Sequence, residues 1–280
     1  MEQKIAVVTG TSSGIGYETA LILARNGYYC CATIRKIERA ADLERIRAKE
    51  NLPLGIFQLD VDDNVSIEET ITMIQKQYGR IDVLVNNAGY GLIGSFEDLS
   101  IVEIRQQFET NIFGAIRVIQ HVLPIMRTQN KGIIVNISSG AGIVGFPCMS
   151  AYVSTKFALE GLSESIYYEL LPFGIKIIII EPGVIKTDFI KNSVTAKRAG
   201  MKDSAYAQVL QKIRKNVSIM QHHGTHPSDV AKVILRAINE NKPQFRYLVG
   251  NDVAMVAEAK HNMSEGEFRR IMTQDILQNV

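Results

Sequence analysis

Residues 5–16 read Ile-Ala-Val-Val-Thr-Gly-Thr-Ser-Ser-Gly-Ile-Gly, an apolar run followed by a glycine-rich segment. Its first five residues form a short apolar run, which predicts a strand that is buried on both faces. From Ile15 to Asn26 the apolar residues recur at helical spacing, so a glycine-rich turn joins the strand to a helix. Glycines in such a turn allow a diphosphate to approach the backbone, and the helix N-terminus offers free N–H groups. The stretch therefore predicts a phosphate-binding turn.

The rest of the chain alternates between strand-like and helix-like segments. Strand patterns recur at residues 28–34, 55–59, 82–86, 132–137, 175–180 and 245–249. Helical patterns lie between them, at residues 15–26, 37–50, 65–78, 101–126 and 151–171. This alternation is typical of right-handed crossovers in a parallel sheet. We predict a Rossmann-type, doubly wound α/β fold with a seven-stranded, mainly parallel sheet and helices on both faces, in a single domain over residues 1–280.

Residues 186–226 depart from this alternation. The segment carries basic residues, few apolar runs and no strand pattern. It follows the sixth strand directly, and ligands of open α/β sheets bind beyond the carboxyl ends of the strands. We expect either a lid that covers the substrate or a solvated pair of surface helices.

The composition excludes several classes of protein. Of the 280 residues, 46% are hydrophobic and 21% are charged, which is typical of a globular protein. The 31 Lys and Arg residues against 29 Asp and Glu give a net charge of +2, too small to indicate a nucleic-acid or membrane partner. Three cysteines do not indicate a disulfide scaffold, and the N-terminal residues show no secretory pattern. We therefore expect a soluble, cytoplasmic protein.

A second pattern, Tyr152-Val-Ser-Thr-Lys156, places a phenol and an ammonium group one helical turn apart. A nearby positive charge lowers the pKa of a tyrosine, and this suits proton transfer at a carbonyl or alcohol group. Ser139 comes thirteen residues earlier, just after the fifth predicted strand. Asn111 lies inside a predicted helix, although asparagine is a mediocre helix former. We expect Asn111 to have a polar role, such as holding a water molecule or a bend in the backbone.

The order and spacing of these motifs resemble the short-chain dehydrogenase/reductase family over residues 4–189, with a further likeness near the C-terminus to its hydroxysteroid and retinol dehydrogenase-like branch. The resemblance implies a catalytic tetrad. Tyr152 would be the general acid in reduction and the base in oxidation. Lys156 would lower the pKa of Tyr152 and hold the nicotinamide ribose. Ser139 would polarise the carbonyl, and Asn111 would support a water-linked proton path behind Lys156.

The resemblance also implies a nicotinamide dinucleotide along the carboxyl edge of the sheet. The residues expected to line its site are Gly10, Ser12, Ser13, Gly14, Ile15, Gly16, Asp60, Val61, Asn87, Ala88, Gly89, Tyr152, Lys156, Pro182, Gly183, Ile185 and Thr187.

Arg35 bears on the choice of cofactor. An acidic residue after the second strand usually binds the free 2′-hydroxyl of NAD, whereas arginine suits a 2′-phosphate. No Asp or Glu occurs in residues 28–37. Arg35, aided by Lys36, Ser12 and Ser13, therefore favours NADP(H), and NAD(H) is the alternative.

The substrate pocket is expected to be mostly apolar. Its predicted walls are residues 91–96, 141–149 and 186–225, which include Ile93, Ile143, Val144, Phe146, Met149 and Phe189. Cys148 either lines this pocket or packs beside it. We predict an NADP(H)-dependent oxidoreductase that acts on an apolar ketone, aldehyde or secondary alcohol.

Two other functions stay open. A 3-oxoacyl thioester reductase would use the basic residues of the segment 186–202 to receive a phosphopantetheine carrier. A cofactor-sensing protein would bind the dinucleotide without turnover. No metal is expected, because His222, His223 and His226 have no Cys or acidic partner nearby in the sequence. The resemblance implies a homodimer or homotetramer formed through the helices near 101–128 and 151–171.

Overall fold

The structure, a computed structural model, describes residues 3–201 and 203–274. Its strands are β1 (Ile5–Thr9), β2 (Tyr29–Ile34), β3 (Leu54–Gln58), β4 (Val83–Asn86), β5 (Leu92–Ile93), β6 (Gly132–Ile137), β7 (Ile175–Pro182), β8 (Val194–Thr195) and β9 (Arg246–Val249). Seven of them form one sheet in the order β3-β2-β1-β4-β6-β7-β9, and every pairing in it is parallel. The predicted seven-stranded Rossmann-type sheet is confirmed.

Helices cover both faces of this sheet. They are α1 (Gly14–Arg25), α2 (Ala41–Glu50), α3 (Asn64–Tyr78), α4 (Ile101–Phe108), α5 (Gly114–Thr128), α6 (Ser150–Leu170), α7 (Ala207–His223), α8 (Pro227–Asn239), α9 (Asn251–Asn262) and α10 (Glu265–Thr273). Buried residues of α1, α2 and α8 share one apolar cluster, and those of α3, α5 and α6 share another on the opposite face.

Strand β7 shows how the sequence builds both faces. Ile178 and Ile180 pack into the cluster under α1 and α8, whereas Ile175 and Ile177 pack into the cluster under α3 and α5. Successive side chains of a strand point to opposite faces, so an unbroken isoleucine run supplies both layers.

The helix predicted over residues 101–126 is interrupted. A π-helical turn, Glu109–Phe113, separates α4 from α5. Such turns add one residue to a helical repeat and are frequent at functional sites. Hydrophobic periodicity did not indicate this turn, although Asn111, which was expected to hold a water molecule or a bend, lies at its centre.

The segment 186–226 contains a strand that its sequence pattern did not indicate. Strand β8 pairs with β5, and the backbone N–H of Val194 donates to Gly91 O at 2.8 Å. The two ends of the segment meet where Lys186 N donates to Thr225 O at 2.9 Å. A two-residue strand is too short to produce a periodic pattern, which is why the prediction missed it.

Within the described residues, no helix is both long enough and apolar enough to span a membrane.

Candidate active site

A cleft of about 840 Å³ opens at the carboxyl edge of the sheet, beside the point where the strand order reverses between β1 and β4. Ligands of open α/β sheets bind at such a point. Every residue predicted from the sequence to line the dinucleotide site does line this cleft, with the exception of Gly16. Ser139, Tyr152 and Lys156 also line it, whereas Asn111 lies behind its wall.

The glycine-rich turn keeps one end of the cleft open. Gly10 has a φ of +69°, and a Cβ atom there would lie 2.9 Å from Cα of Ala88. Gly16 faces the protein interior, where a Cβ atom would lie 2.4 Å from both Asn87 Nδ2 and Gly10 O. No side chain caps the N-terminus of α1, so its first N–H groups are available to an anion. The turn therefore fits the diphosphate of a dinucleotide.

Asn87 and Thr9 fix the shape of this turn. The side-chain amide of Asn87 donates to Thr9 O at 2.9 Å and to Gly10 O at 3.0 Å. The hydroxyl of Thr9 accepts the backbone N–H groups of Asn87 and Ala88, each at 3.0 Å. Strand β1 and the loop after β4 are thus held together, and together they border the cleft.

A small basic cavity of about 70 Å³ adjoins the cleft beside the end of β2. Its lining residues are Ser12, Ile34, Arg35, Lys36 and Arg39. Arg39, which the sequence analysis did not predict, lies in the short 3₁₀ helix Ile37–Ala40 and also lines the main cleft. No carboxylate is among these lining residues, so the cavity fits a phosphate group better than a bare hydroxyl. The spacing of the two arginines, four residues apart, is the signal that could have found Arg39.

Tyr152 and Lys156 lie on one face of α6, and the Lys156 Nζ atom is 5.6 Å from the centre of the tyrosine ring. The same Nζ donates to Ile137 O at 2.7 Å. Burial lowers the pKa of Lys156 to about 8. Burial also raises the pKa of Tyr152 to about 12, against the opposing effect of its hydrogen bond with Ser139. This direction is opposite to the lowered pKa predicted from the sequence, because burial outweighs the hydrogen bond with Ser139.

Ser139 lies directly after β6, as predicted. Its hydroxyl accepts the backbone N–H of Ala141 at 3.1 Å and thereby caps the short 3₁₀ helix Gly140–Gly142. This bond and the bond to Tyr152 fix the hydroxyl beside the phenol. Two hydroxyl groups therefore converge on one point of the cleft, where a carbonyl oxygen can accept hydrogen bonds from both.

The side chain of Asn111 supports the wall of the cleft behind these two hydroxyl groups. Its Nδ2 atom donates to Tyr90 O at 3.0 Å and to the hydroxyl of Thr155 at 3.2 Å. Its Oδ1 atom accepts the backbone N–H of Tyr90 at 3.1 Å. The amide of Asn111 therefore ties the π-helical turn to Tyr90 and Thr155, and its part in a water-linked proton path stays a prediction.

Three segments were predicted to line the substrate end of the cleft. Residues 141–149 and 186–225 contribute lining side chains, and residues 91–96 do not. Apolar side chains from the predicted segments do line it, namely Ile143, Phe146, Met149, Phe189, Ile190 and Val194. The prediction was wrong for Ile93 and Val144, which are buried and do not line the cleft. Ile93 packs instead with Leu99, because β5 pairs with β8 and turns its side chain away. Cys148 lies in the same cluster and is a packing residue.

Other elements contribute residues that the sequence analysis missed. Helix α9 adds Asp252, Val253 and Val256 to the wall, whereas Val217, Met220 and Gln221 of α7 lie within the predicted segment 186–225. Near the Asp60 end lies Asp62, whose Oδ2 atom accepts the hydroxyl of Thr110 at 2.9 Å. Residues so distant along the chain give no local pattern that connects them to the cleft.

One of the three histidines that are not expected to bind a metal has a structural role instead. His226 caps α8, since its Nδ1 accepts the backbone N–H of Ser228 at 3.3 Å. In the part of the chain that the structure describes, no three His, Cys, Asp or Glu side chains are grouped to hold a metal ion.

Comparison with known proteins assigns the chain to a family. The short chain dehydrogenase family matches residues 4–198, which is more than half of the chain. The protein therefore belongs to the short-chain dehydrogenase/reductase family, and it is an oxidoreductase.

Two related sequences and one solved structure illustrate the relationship. The chain is 41% identical over 259 residues to the uncharacterized oxidoreductase YusZ of Bacillus subtilis (strain 168), which covers 91% of this chain and 92% of YusZ. It is 36% identical over 253 residues to retinol dehydrogenase 8 of Bos taurus, covering 87% of this chain and 80% of that enzyme. A short-chain dehydrogenase from Streptomyces avermitilis matches with a TM-score of 0.83 and 34% identity, over 98% of this chain and 96% of that one.

Proposed function

We propose that the protein is an NADP(H)-dependent oxidoreductase that interconverts an apolar ketone or aldehyde and its alcohol. The observation that carries the proposal is that Tyr152 and Ser139 are hydrogen-bonded to each other in the cleft, where Tyr152 also packs against the apolar side chain of Phe189. The similarity to a retinol dehydrogenase supports the class of substrate, because retinol is an apolar alcohol.

The dinucleotide would lie along the edge of the sheet. The N–H groups at the start of α1 would bind its diphosphate, and Arg35 and Arg39 would bind the 2′-phosphate that distinguishes NADP(H) from NAD(H). When bound, the nicotinamide supplies or accepts the hydride. Lys156 borders the same part of the cleft and would hold the nicotinamide ribose.

The reaction also needs a proton donor and groups that stabilise the developing charge, and these would be Tyr152, Ser139 and Lys156. Because burial raises the pKa of Tyr152 to about 12, its phenol carries a proton at neutral pH and can donate it to the carbonyl oxygen. Ser139 would donate a hydrogen bond to the same oxygen. The ammonium group of Lys156, on the same face of α6, would stabilise the phenolate that remains. In oxidation the phenolate would accept the proton from the alcohol.

We propose further that residues 186–226 are a lid within a single domain. Support comes from Phe189, Ile190 and Met220, which belong to this segment and line the apolar end of the cleft. The same segment carries the basic residues that would receive a carrier-linked thioester, which is the alternative substrate. For this reason 3-oxoacyl thioesters belong in the substrate panel.

A homodimer or homotetramer is the proposed assembly. The helices predicted to form it expose large apolar side chains, Phe113 just before α5 and both Phe157 and Tyr168 on α6. Light scattering after size-exclusion chromatography tests this assembly. A monomer at micromolar concentration would contradict it.

Paired titrations with NADPH and NADH test the cofactor assignment. The chain has no Trp, so cofactor fluorescence can be followed with little protein background. We expect Arg35→Asp to weaken NADPH binding at least tenfold more than NADH binding, since a charge-assisted contact to the phosphate is lost. Arg45→Asp, at an exposed arginine of α2 paired with Asp42, is the matched control and should change neither. Equal losses for both cofactors with Arg35→Asp would contradict the assignment.

Turnover of an apolar ketone and aldehyde panel tests the reaction. Tyr152→Phe is expected to abolish turnover while NADPH binding is kept. A wild-type protein that binds NADPH but turns over nothing in a broad panel would favour the cofactor-sensing alternative.

A further inference from the structure

Behind Lys156 lies a group of charged side chains that the proposed reaction does not use. Glu160 follows Lys156 by one turn of α6, and Glu181 is the last residue but one of β7. Only 8% of Glu160 and 3% of Glu181 is exposed. Their carboxylates lie 3.2 Å and 3.8 Å from Nε of Arg246, on β9. Burying a charged group is unfavourable unless it is paired, so this arrangement calls for a physical explanation.

One guanidinium group faces three carboxylates in this group. Arg246 also contacts Glu164 at 3.1 Å, and this contact is peripheral because the Glu164 side chain is 56% exposed. Among the described residues, Arg246 is the one cation within 4.0 Å of either buried glutamate, so two ionised carboxylates would have a single close positive charge between them. Burial and the charge of Glu160 raise the pKa of Glu181 to about 7. The buried pair therefore keeps one proton up to neutral pH, as interacting carboxylates do.

Glu160 is the member of the pair that acts on Lys156. Its negative charge favours the ammonium form and opposes the lowering of the Lys156 pKa by burial. The groups that face Glu160 are Lys156 on its own helix, Ser138 after β6, Arg246 on β9, and Glu181, which Glu160 in turn affects. The ammonium group also donates to Ile137 O at 2.7 Å, and that acceptor is uncharged. Glu160, one helical turn along α6, is therefore the carboxylate whose charge acts on Lys156.

We propose that Glu160 is a positioning residue which keeps Lys156 in its ammonium form, and that Glu181 shares one proton with Glu160 beneath Arg246. The shared proton leaves one negative charge on the buried pair, which lies against the guanidinium group of Arg246. Glu160 acts through Lys156 and does not touch the substrate. The inference rests on the proposed function only in assigning Lys156 a catalytic role, since the arrangement of charges is independent of turnover.

Lysine titration by NMR tests the first half of the proposal without cofactor or substrate. In protein labelled with ¹³C at the lysine Cε atoms, the Lys156 signal is the one missing from Lys156→Met. We expect Glu160→Gln to lower its titration midpoint by about one pH unit or more, because the carboxylate whose charge opposes the effect of burial is removed. Glu164→Gln is the matched control, since it contacts the same arginine from an exposed position, and it should leave the midpoint unchanged. Equal midpoints in Glu160→Gln and the wild type would overturn the proposal.

Carboxyl titration of the wild-type protein tests the second half and does not depend on the folding of any Glu160 variant. With ¹³C at the glutamate Cδ atoms, one carboxyl group should titrate near pH 7 and be absent from Glu181→Gln. Its midpoint should fall in Glu160→Gln, because the like charge beside it is gone. A wild-type protein in which every glutamate titrates below about pH 6 would overturn the shared proton. If no substrate in the panel reacts, both titrations can still be measured. This proposal and the proposed function are therefore tested independently.

Discussion

The side chain of Asn111 pairs with the backbone of Tyr90 in both directions. Oδ1 accepts the Tyr90 N–H at 3.1 Å, and Nδ2 donates to the Tyr90 carbonyl at 3.0 Å. Asn111 can reach Tyr90 because the π-helical turn lies at this position of the chain. Gly89, immediately before Tyr90, lines the cleft, and a Cβ atom there would lie 3.1 Å from Asn111 Oδ1. A side chain from the π-helical turn thus fixes one wall of the candidate active site.

Removing this amide should destabilise the protein. Asn111→Ala leaves the Tyr90 N–H without its acceptor, whereas the Tyr90 carbonyl still accepts from Gln107 Nε2 at 2.8 Å. We expect the free energy of unfolding to fall by about 1–3 kcal/mol, the usual effect of one unpaired buried donor. Urea denaturation measures this loss. The control is Thr155→Val, which removes only a second acceptor of the Asn111 amide and should lower the free energy of unfolding by less. Equal losses of stability in the two variants would contradict this account.

Two helical glycines should respond oppositely to the same substitution. Gly16→Ala places a methyl group against Asn87 and the Gly10 carbonyl, so the glycine-rich turn must shift. We expect a loss of about 1–3 kcal/mol in the free energy of unfolding and weaker dinucleotide binding. Gly161→Ala, in α6, meets no atom within 4 Å and should gain up to about 1 kcal/mol from helix propensity. Thermal denaturation and NADPH titration of both variants check the pair, and unchanged binding in Gly16→Ala would show that the turn is not required.

Lys156 should set the alkaline limit of reduction. Burial lowers its pKa to about 8, so the ammonium form is present below that pH and is lost above it. We expect kcat/KM for reduction to fall about tenfold per pH unit on the alkaline side, as for one essential proton. In Lys156→Arg the guanidinium stays charged, so a slower enzyme with a flat profile up to about pH 10 is expected. An identical alkaline limb in the two proteins would assign it to another group.

The sequence was sufficient for the sheet and for the residues that lie next to one another along the chain. Buried parallel strands are continuous apolar runs, and residues such as Ile5–Thr9 and Ile175–Pro182 therefore stand out. Tyr152 and Lys156 share a helix face by spacing alone. The glycine-rich turn is equally local, because one strand, one turn and one helix contain all of it.

What the sequence did not reveal depends on contacts between distant segments. Strand β8 exists because β5 lies beside it, and neither is long enough to show a period. The raised pKa of Tyr152 results from burial by many neighbours, whereas sequence spacing shows only Lys156. Glu160 and Glu181 are far apart along the chain, and only the sheet brings both to Arg246.

Asp98 should hold the first half of the segment 186–226 in place. Its buried carboxylate accepts the hydroxyls of Ser95 and Ser204, each at 2.6 Å, and lies 3.5 Å from Nε of Arg198. The two hydroxyl bonds help to lower the pKa of Asp98, so the carboxylate stays charged at neutral pH.

Asp98→Ala should therefore loosen the segment without unfolding the sheet. We expect trypsin to cleave after Lys197 or Arg198 about tenfold faster than in the wild type, because local opening exposes the backbone to the protease. Mass spectrometry of timed digests locates the cut, and circular dichroism checks that the rest of the fold is kept. Asp188→Ala is the matched control, since Asp188 lies in the same segment but makes only an exposed ion pair with Lys191 at 4.0 Å. Equal cleavage rates in the two variants would show that the segment is held by β5 and β8 rather than by Asp98.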